Sequence, residues 1–340
     1  MAPFCAVLAT LAPLALAELV LGSAGLGWRT TLAALCAGPG SSGPDDGMAT
    51  AIVWSLRLPR VILAAIAGAV LAVSGALLQA TTRNGLADPF LFGLSSGAAA
   101  GAVLVITRGG DRFGSWTLPL AALGGALLSA GCVAALLAVI RRRHRERVAG
   151  PEQLVIGGLA ISFLFGAVTD LLLFSGDQRS AQSVLFWSLG GFGLARWNNL
   201  PLALLGLAAV LATGWWCRNA LDALLAGDDT AASVGVAVTR LRLLVFLASA
   251  FGTACVVSLS GVIGFVGLMV PHLARAAVGI RHAVMLPVAA LGGAALMLAA
   301  DLASRVMLAG QELPIGIIVS GLGAVFVLAL LVLPPAGGRR

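Results

Sequence analysis

The chemistry most plainly written into this sequence is carried by three arginines. Arg57 and Arg60 stand in "WSLRLPRVIL", immediately before a long apolar run, and Arg305 stands in "LMLAADLASRVMLAGQELP" at the end of another. A guanidinium is a planar fork that grips carboxylates in bidentate fashion, so three of them on one surface suit an acidic partner. The plainer alternative is interfacial snorkelling, with stems along lipid and charged heads in water. Glu18 and Asp170 are carboxylates inside apolar stretches, positions that proton relays use. No matching basic residue or His chain accompanies them in the sequence, and structural hydrogen bonding or snorkelling is the expected role. Cys5, Cys36, Cys132, Cys217 and Cys255 are scattered without a CxxC pair, and His144, His272 and His282 form no HExxH-like pair. Neither a disulfide nor a metal site is therefore expected. Glycine runs such as "SLGGFG" (188–193) follow no strand and read as outer-loop turns, and there is no Walker A motif. No catalytic residue and no nucleotide site are expected in this chain.

Composition says what must position these residues. Of 340 residues, 59% are hydrophobic and only 10% charged, with a mean hydropathy of +1.02. A soluble domain carries about 25% charged residues, so the chain reads as a polytopic membrane protein. Its 44 glycines suit helices that approach closely in lipid. The net charge of +7, all of it from arginine among the basic residues, fits loops facing anionic lipid rather than nucleic acid. The run from Pro3 to Gly22 lacks a basic leading region and reads as a first membrane helix, not a signal peptide.

A span needs about 20 apolar residues. Ten stretches qualify: 3–22, 58–79, 91–107, 117–140, 153–174, 199–216, 241–259, 262–279, 284–303 and 314–333. The third is short and the eighth is interrupted by Pro271, so neither is expected to be a straight full span. "RRRHRERVAGPE", with Arg141, Arg142, Arg143, Arg145 and Arg147, is a short basic loop of the cytoplasmic kind. Ten spans then put both termini inside, with thirteen arginines inside and eight outside. Arg57 and Arg83 are separated by 26 residues, roughly 39 Å of helix, and must lie at opposite interfaces. Arg57, Arg60 and Arg305 fall outside, against the positive-inside bias. Pro59 is expected at the first helical turn, where its missing N–H costs nothing.

Two cytoplasmic features follow. "RNALDALLAGDDTAASVGVAVTRLR" (218–242) is too polar to span and reads as two short surface helices, with Asp228 or Asp229 as a cap and Gly235 as a stop. It is either an ordinary interfacial helix or a coupling element for a soluble partner. "QATTRNGLADPFLFGLSSGAAAGAV" (79–103) combines a polar break at Arg83–Asp88 with Gly93, Gly97 and Gly101 at four-residue spacing, a smooth packing face. The break is either a plain turn or the lining of a gate.

These motifs, with "SLSGVIGFVGLMVPHLAR" (258–275) and "ADLASRVMLAGQELPIGIIVSGLGAVFVLALL" (300–331), resemble the FecCD-type permeases, the membrane subunits of type II ABC importers for iron-siderophores, haem and cobalamin. The likeness runs from about residue 50 to 333. It implies an all-α polytopic membrane protein with about ten transmembrane helices in one permease domain, 1–340. It also implies a homodimer or close heterodimer, two cytoplasmic ATP-binding-cassette subunits, and a bi-lobed, periplasmic or lipid-anchored substrate-binding protein. The chain itself would carry no cofactor, ATP and Mg being held by the partner subunits, and it would sit in a bacterial cytoplasmic membrane. By the resemblance, Arg57, Arg60 and Arg305 match positions that pair with acidic residues of the binding protein. The stretch Leu225, Ala226, Gly227, Asp228, Asp229, Ala232 and Gly235 matches the segment that docks on the ATPase. Asn84 and Leu86 match the inner mouth. Two departures stand out: Gly85 replaces a proline of the usual "NPLADP" pattern, and the N-terminal lead-in is very short.

The expected function is a non-catalytic permease subunit passing a bulky metal chelate, iron-siderophore first, with haem or vitamin B12 as alternatives. An ion-coupled secondary carrier is the competing class, and it would want paired intramembrane ionisable groups.

Overall fold

The computed structural model describes residues 2–21, 25–39, 47–110, 113–143, 151–308 and 311–332. Arg145, Arg147, Arg339 and Arg340, which carried part of the topology reading, lie outside the described residues. The described residues are helical and contain no strand. In chain order the helices are α1 (Ala2–Val20), α2 (Trp28–Ala37), α3 (Gly47–Ile52), α4 (Leu58–Thr82), α5 (Leu94–Leu104), α6 (Thr117–Arg143), α7 (Pro151–Phe174), α8 (Gln178–Ser188), α9 (Leu200–Leu225), α10 (Asp228–Ser233), α11 (Val238–Ser260), α12 (Val266–Val278), α13 (His282–Val306) and α14 (Ile315–Val332). Seven helical runs are long and apolar enough to cross a membrane, and three shorter apolar helices, Val7–Val20, Leu94–Arg108 and Val266–Val278, stand where the first, third and eighth spans are expected.

The molecule is built around α4. From Val61 to Thr82 it is buried at nearly every position, surrounded by α9, α11, α12 and α13. A helix apolar all round belongs in the middle of a membrane bundle. In lipid no hydrophobic force draws helices together, so close backbone approach has to do it. A Cβ on Gly75 would fall on the Gly267 carbonyl of α12, and one on Gly68 would fall on the Gly293 carbonyl of α13. Gly97 and Gly101 of α5 lie in the same way against α6, at Gly125 and Ala121, so the four-residue glycine face is a packing face.

Several local expectations are corrected. Pro59 falls in the first turn of α4, as expected, but that turn is no free helix start: α3, a π-helical turn at Val53–Arg57 and α4 form one run of 36 residues from Gly47 to Thr82. The wide turn just ahead of Pro59 lets the helix continue past a residue that has no N–H to donate. Pro271 does not break the eighth span either, since it lies inside α12. That helix is short because the chain is irregular from Gly261 to Phe265, both residues having positive φ (+70° and +67°). Pro271 leaves the Gly267 carbonyl, four residues back, without its helical donor, and the Gln79 side chain of α4 donates to it at 2.9 Å. The polar 218–242 stretch is not two surface helices, because α9 continues to Leu225 and only α10 stands apart. The stretch between the fifth and sixth expected spans is not all loop, since it contains α8.

Candidate functional site

The two ends of α4 carry two polar clusters. At the first end, Asp301 of α13 is fully buried and receives both Nε (3.1 Å) and Nη2 (2.9 Å) of Arg60, while Arg305, one helical turn further along α13, reaches its other oxygen at 3.0 Å. Arg60 extends its remaining Nη1 to Glu312 at 2.9 Å, and Glu312 is half-exposed. Arg305 also approaches the Glu18 carboxylate at 3.6 Å and donates to the Glu18 and Leu21 carbonyls. Arg57 donates to the carbonyls of Leu19 and Val20. The last carbonyls of α1 have no partners within the helix and form its negative end, and Arg57 and Arg305 cap them.

This changes the meaning of the three arginines. The sequence places them together, and they do lie together. Arg57 and Arg305 are nevertheless buried, with the Arg305 side chain 3% exposed and that of Arg60 14%. Arg60 and Arg305 meet three carboxylates, Glu18, Asp301 and Glu312, whereas Arg57 meets only the carbonyls at the end of α1. The expectation that Glu18 has no basic counterpart is overturned, because Arg305 comes from a helix almost three hundred residues away and no local pattern shows it. Asp301 could have been found, since it precedes Arg305 by four residues, one turn of the same helix face. Asp170 lies on the exposed face of α7.

At the other end of α4, Arg83 takes the left-handed conformation (φ 49°, ψ 33°) that closes the helix, its N–H donating to the Gln79 carbonyl. Asn84 forms an Asx turn, its Oδ1 accepting from the Leu86 N–H at 2.9 Å, and its own carbonyl accepts from Ala87. Gln79 holds this turn from within. Its amide nitrogen donates to the carbonyls of Ala87 and Gly267, and its oxygen accepts from Arg275. Asp88 caps the short Pro89–Phe92 turn through the Phe90 N–H at 2.8 Å. Burial pushes its carboxyl up to about 6, against the pull of the backbone hydrogen bond from Phe90. Asn84 lines a cavity of about 570 Å³ with Arg83 and Glu152, and Leu86 is exposed beside it.

The segment Leu225, Ala226, Gly227, Asp228, Asp229, Ala232 and Gly235 lies against this second end. The N-cap of α10 is Gly227 (φ 119°), so neither Asp228 nor Asp229 caps the helix. Asp228 instead turns its carboxylate to Arg242 (2.9 Å) and Arg83 (3.2 Å). Gly235 has φ 87° and donates to the Ala232 carbonyl, ending the turn as expected. Nearby, Asp222 accepts from both the backbone N–H and the Nδ1 of His282, tying the end of α9 to the start of α13.

Between the breaks lies an apolar cavity of about 620 Å³, lined by Phe90, Leu91, Leu189, Phe265, Leu268 and Ile317 among others. The irregular chain at 261–265 and the turn at 88–92 both contribute to it, so the non-helical backbone here lines a cavity.

An all-helical membrane bundle with interrupted helices around an apolar cavity, and with charged clusters at its two ends, defines a permease-type transport protein. The chain belongs to the FecCD transport family, whose profile matches residues 9–333. It is 39% identical over 313 residues to the cobalamin import system permease protein BtuC of Halobacterium salinarum, covering 91% of this chain and 80% of that one. It is 38% identical over 285 residues to the hemin transport system permease protein HmuU of Yersinia pestis, covering 82% and 83% respectively. A solved structure described as an inward-facing metal-chelate type ABC transporter superposes with a TM-score of 0.78 at 29% identity, over 97% of this chain and 98% of that one.

Proposed function

We propose that this chain is the permease subunit of a binding-protein-dependent ABC importer that moves a bulky metal chelate, most simply an iron-siderophore, into the cell, with haem and vitamin B12 as the alternative cargoes. The observation that carries the reading is the apolar cavity between two interrupted helices in a chain of this family. Such a wall suits a large chelate handed over whole rather than an ion held by fixed ligands. The chain works as one of two copies, or with a close relative, in a bacterial cytoplasmic membrane. Ten helices cross or enter the bilayer and both termini are cytoplasmic. Two separate ATPase subunits bind at 225–235 and supply the energy, so no cofactor resides in this chain. The turn at Asn84–Leu86 lines the inner mouth.

The outer docking surface is built from the Arg57, Arg60 and Arg305 cluster, with Arg60 at the point of exchange. Arg57 and Arg305 are committed to the end of α1, whereas Arg60 shares its outer nitrogen with the half-exposed Glu312. An acidic residue of the binding protein takes Glu312's place. The test of the whole reading is uptake into proteoliposomes holding this permease with its ATPase and binding protein, offered a ferric siderophore, haem or cyanocobalamin. Accumulation of one of the three, dependent on the binding protein, is the expected result. Binding-protein-independent entry, or none for all three, contradicts it.

A further inference from the structure

The permease reading leaves open how movement of the 225–235 segment reaches the transport path. We propose that Asp228 is the positioning residue of that transmission, because its single carboxylate oxygen joins α10 to the inner end of α4 by two arginines at once. Arg83 Nη2 and Arg242 Nη2 both meet Asp228 Oδ1, at 3.2 and 2.9 Å. Arg242 is buried, and its Nε donates to the Thr81 carbonyl at 3.0 Å. Arg83 is the left-handed residue that ends α4 and starts the turn leading to Asn84 and Leu86.

Each of these bonds falls on a point where α4 would otherwise have free groups. Carbonyls in the last turn of a helix lack intrahelical donors, and Arg242 supplies one to Thr81. A non-glycine residue at positive φ costs energy unless its surroundings hold it there, and the Arg83 side chain is anchored on Asp228. The far side of the same turn is fastened to α12 through Gln79, which bonds Ala87 and Gly267 and is itself gripped by Arg275. The turn therefore sits between a fixed anchor on α12 and a second anchor on α10. Of the two, only α10 belongs to the segment assigned to the ATPase. Displacing α10 pulls Asp228, and Asp228 pulls both the cap and the last turn of α4. Buried or half-buried charge pairs transmit such displacement well, because leaving a guanidinium unpaired there is costly.

This inference rests on the assignment of 225–235 to the ATPase, and the experiment separates the two. Gly85 lies in the turn with open space around a built Cβ and φ outside the left-handed region, so Gly85→Cys serves as the reporter. The five native cysteines are first replaced by alanine. The full permease–ATPase complex is reconstituted, and maleimide labelling of the thiol introduced at position 85 is compared without nucleotide and after trapping with ATP and vanadate. In the parent, trapping changes the labelling rate by about fivefold or more, the lower range of ordinary coupling between sites. Asp228→Asn abolishes most of that change while the ATPase still co-elutes with the permease, and Asp228→Glu, which keeps the charge, restores most of it. A full nucleotide response in a co-eluting Asp228→Asn complex overturns the proposal while leaving the ATPase assignment intact. Loss of co-elution in Asp228→Asn overturns it in a different way, by placing the carboxylate in the docking contact itself. If Ala232→Arg and Gly235→Arg leave co-elution and coupling untouched, the assignment of 225–235 fails, and the transmission role fails with it.

Discussion

At the scale of single residues, Asp301 matters most. It is fully buried and balances two guanidinium groups that are themselves largely out of water. Removing one member of a buried ionic group leaves the others uncompensated and costs about 3–5 kcal/mol. Asp301→Ala is therefore expected to lower the unfolding midpoint in detergent sharply, by about that free energy. Glu312→Gln removes a half-exposed partner of Arg60 and, like other exposed pairs, should cost about 0–1 kcal/mol. The same substitution should strengthen binding-protein docking at low salt, as the Arg60 fork loses its internal competitor, and surface plasmon resonance would read the change as a faster association. Unchanged docking in Glu312→Gln, with Arg60→Glu also neutral, makes the cluster a structural anchor for α1. The grouping of the three arginines was legible in the sequence because each stands at the end of a long apolar run. Their carboxylate partners were not, apart from Asp301 at helical spacing, because Glu18 and Arg305 meet across 287 residues of chain.

At the scale of elements, the interrupted helices and their glycine seams hold the bundle together. Gly75→Ala pushes a methyl group onto the Gly267 backbone. Overpacking of this kind costs about 1–3 kcal/mol, whereas Gly124→Ala on the open face of α6 meets nothing within 4 Å and should be neutral or slightly stabilising. Thermal unfolding of the two variants side by side checks this, and equal stability would show that α4 and α12 have room to separate. Hydropathy made the positions of the seven long apolar helices and the three shorter ones legible among the described residues, and the four-residue glycine spacing made the α5 seam legible. It could not show where the chain is irregular ahead of α12. The strained backbone at Gly261–Phe265 carries little local signature, while Pro271, the obvious breaker, is accommodated by a side chain from α4. The polar stretch at 218–242 was misread for a related reason. The end of α9 is too polar to look like part of a span, yet its helix continues beyond the apolar segment.

At the scale of the whole molecule, the two charged clusters lie at opposite ends of α4, roughly 39 Å apart at 1.5 Å per residue, a separation greater than the roughly 30 Å of a bilayer's hydrocarbon core. A cysteine placed at Arg142, exposed in the last turn of α6, should label only from the cytoplasm. One placed at Gln182 in α8 should label only from outside, in whole cells with a membrane-impermeant maleimide. Labelling of both from one side contradicts the topology. The paired carboxylates at the Arg57–Arg60 end of α4 also bear on mechanism. Glu18 has no basic counterpart nearby in the sequence, yet in the fold Glu18, Asp301 and Arg305 form a group of paired ionisable side chains. It sits at the end of α4 that carries Arg57 and Arg60, however, and does not line the apolar cavity. An ion-coupled carrier places such groups beside its substrate site near the bilayer midplane. The energy source is therefore the most direct test of the account. Proteoliposomes containing the permease, its ATPase and its binding protein should accumulate chelate when ATP is supplied inside the compartment holding the ATPase, with no proton or sodium gradient, and a Walker A lysine substitution in the ATPase should abolish uptake. Accumulation driven by an ion gradient in vesicles holding the permease alone would contradict the account.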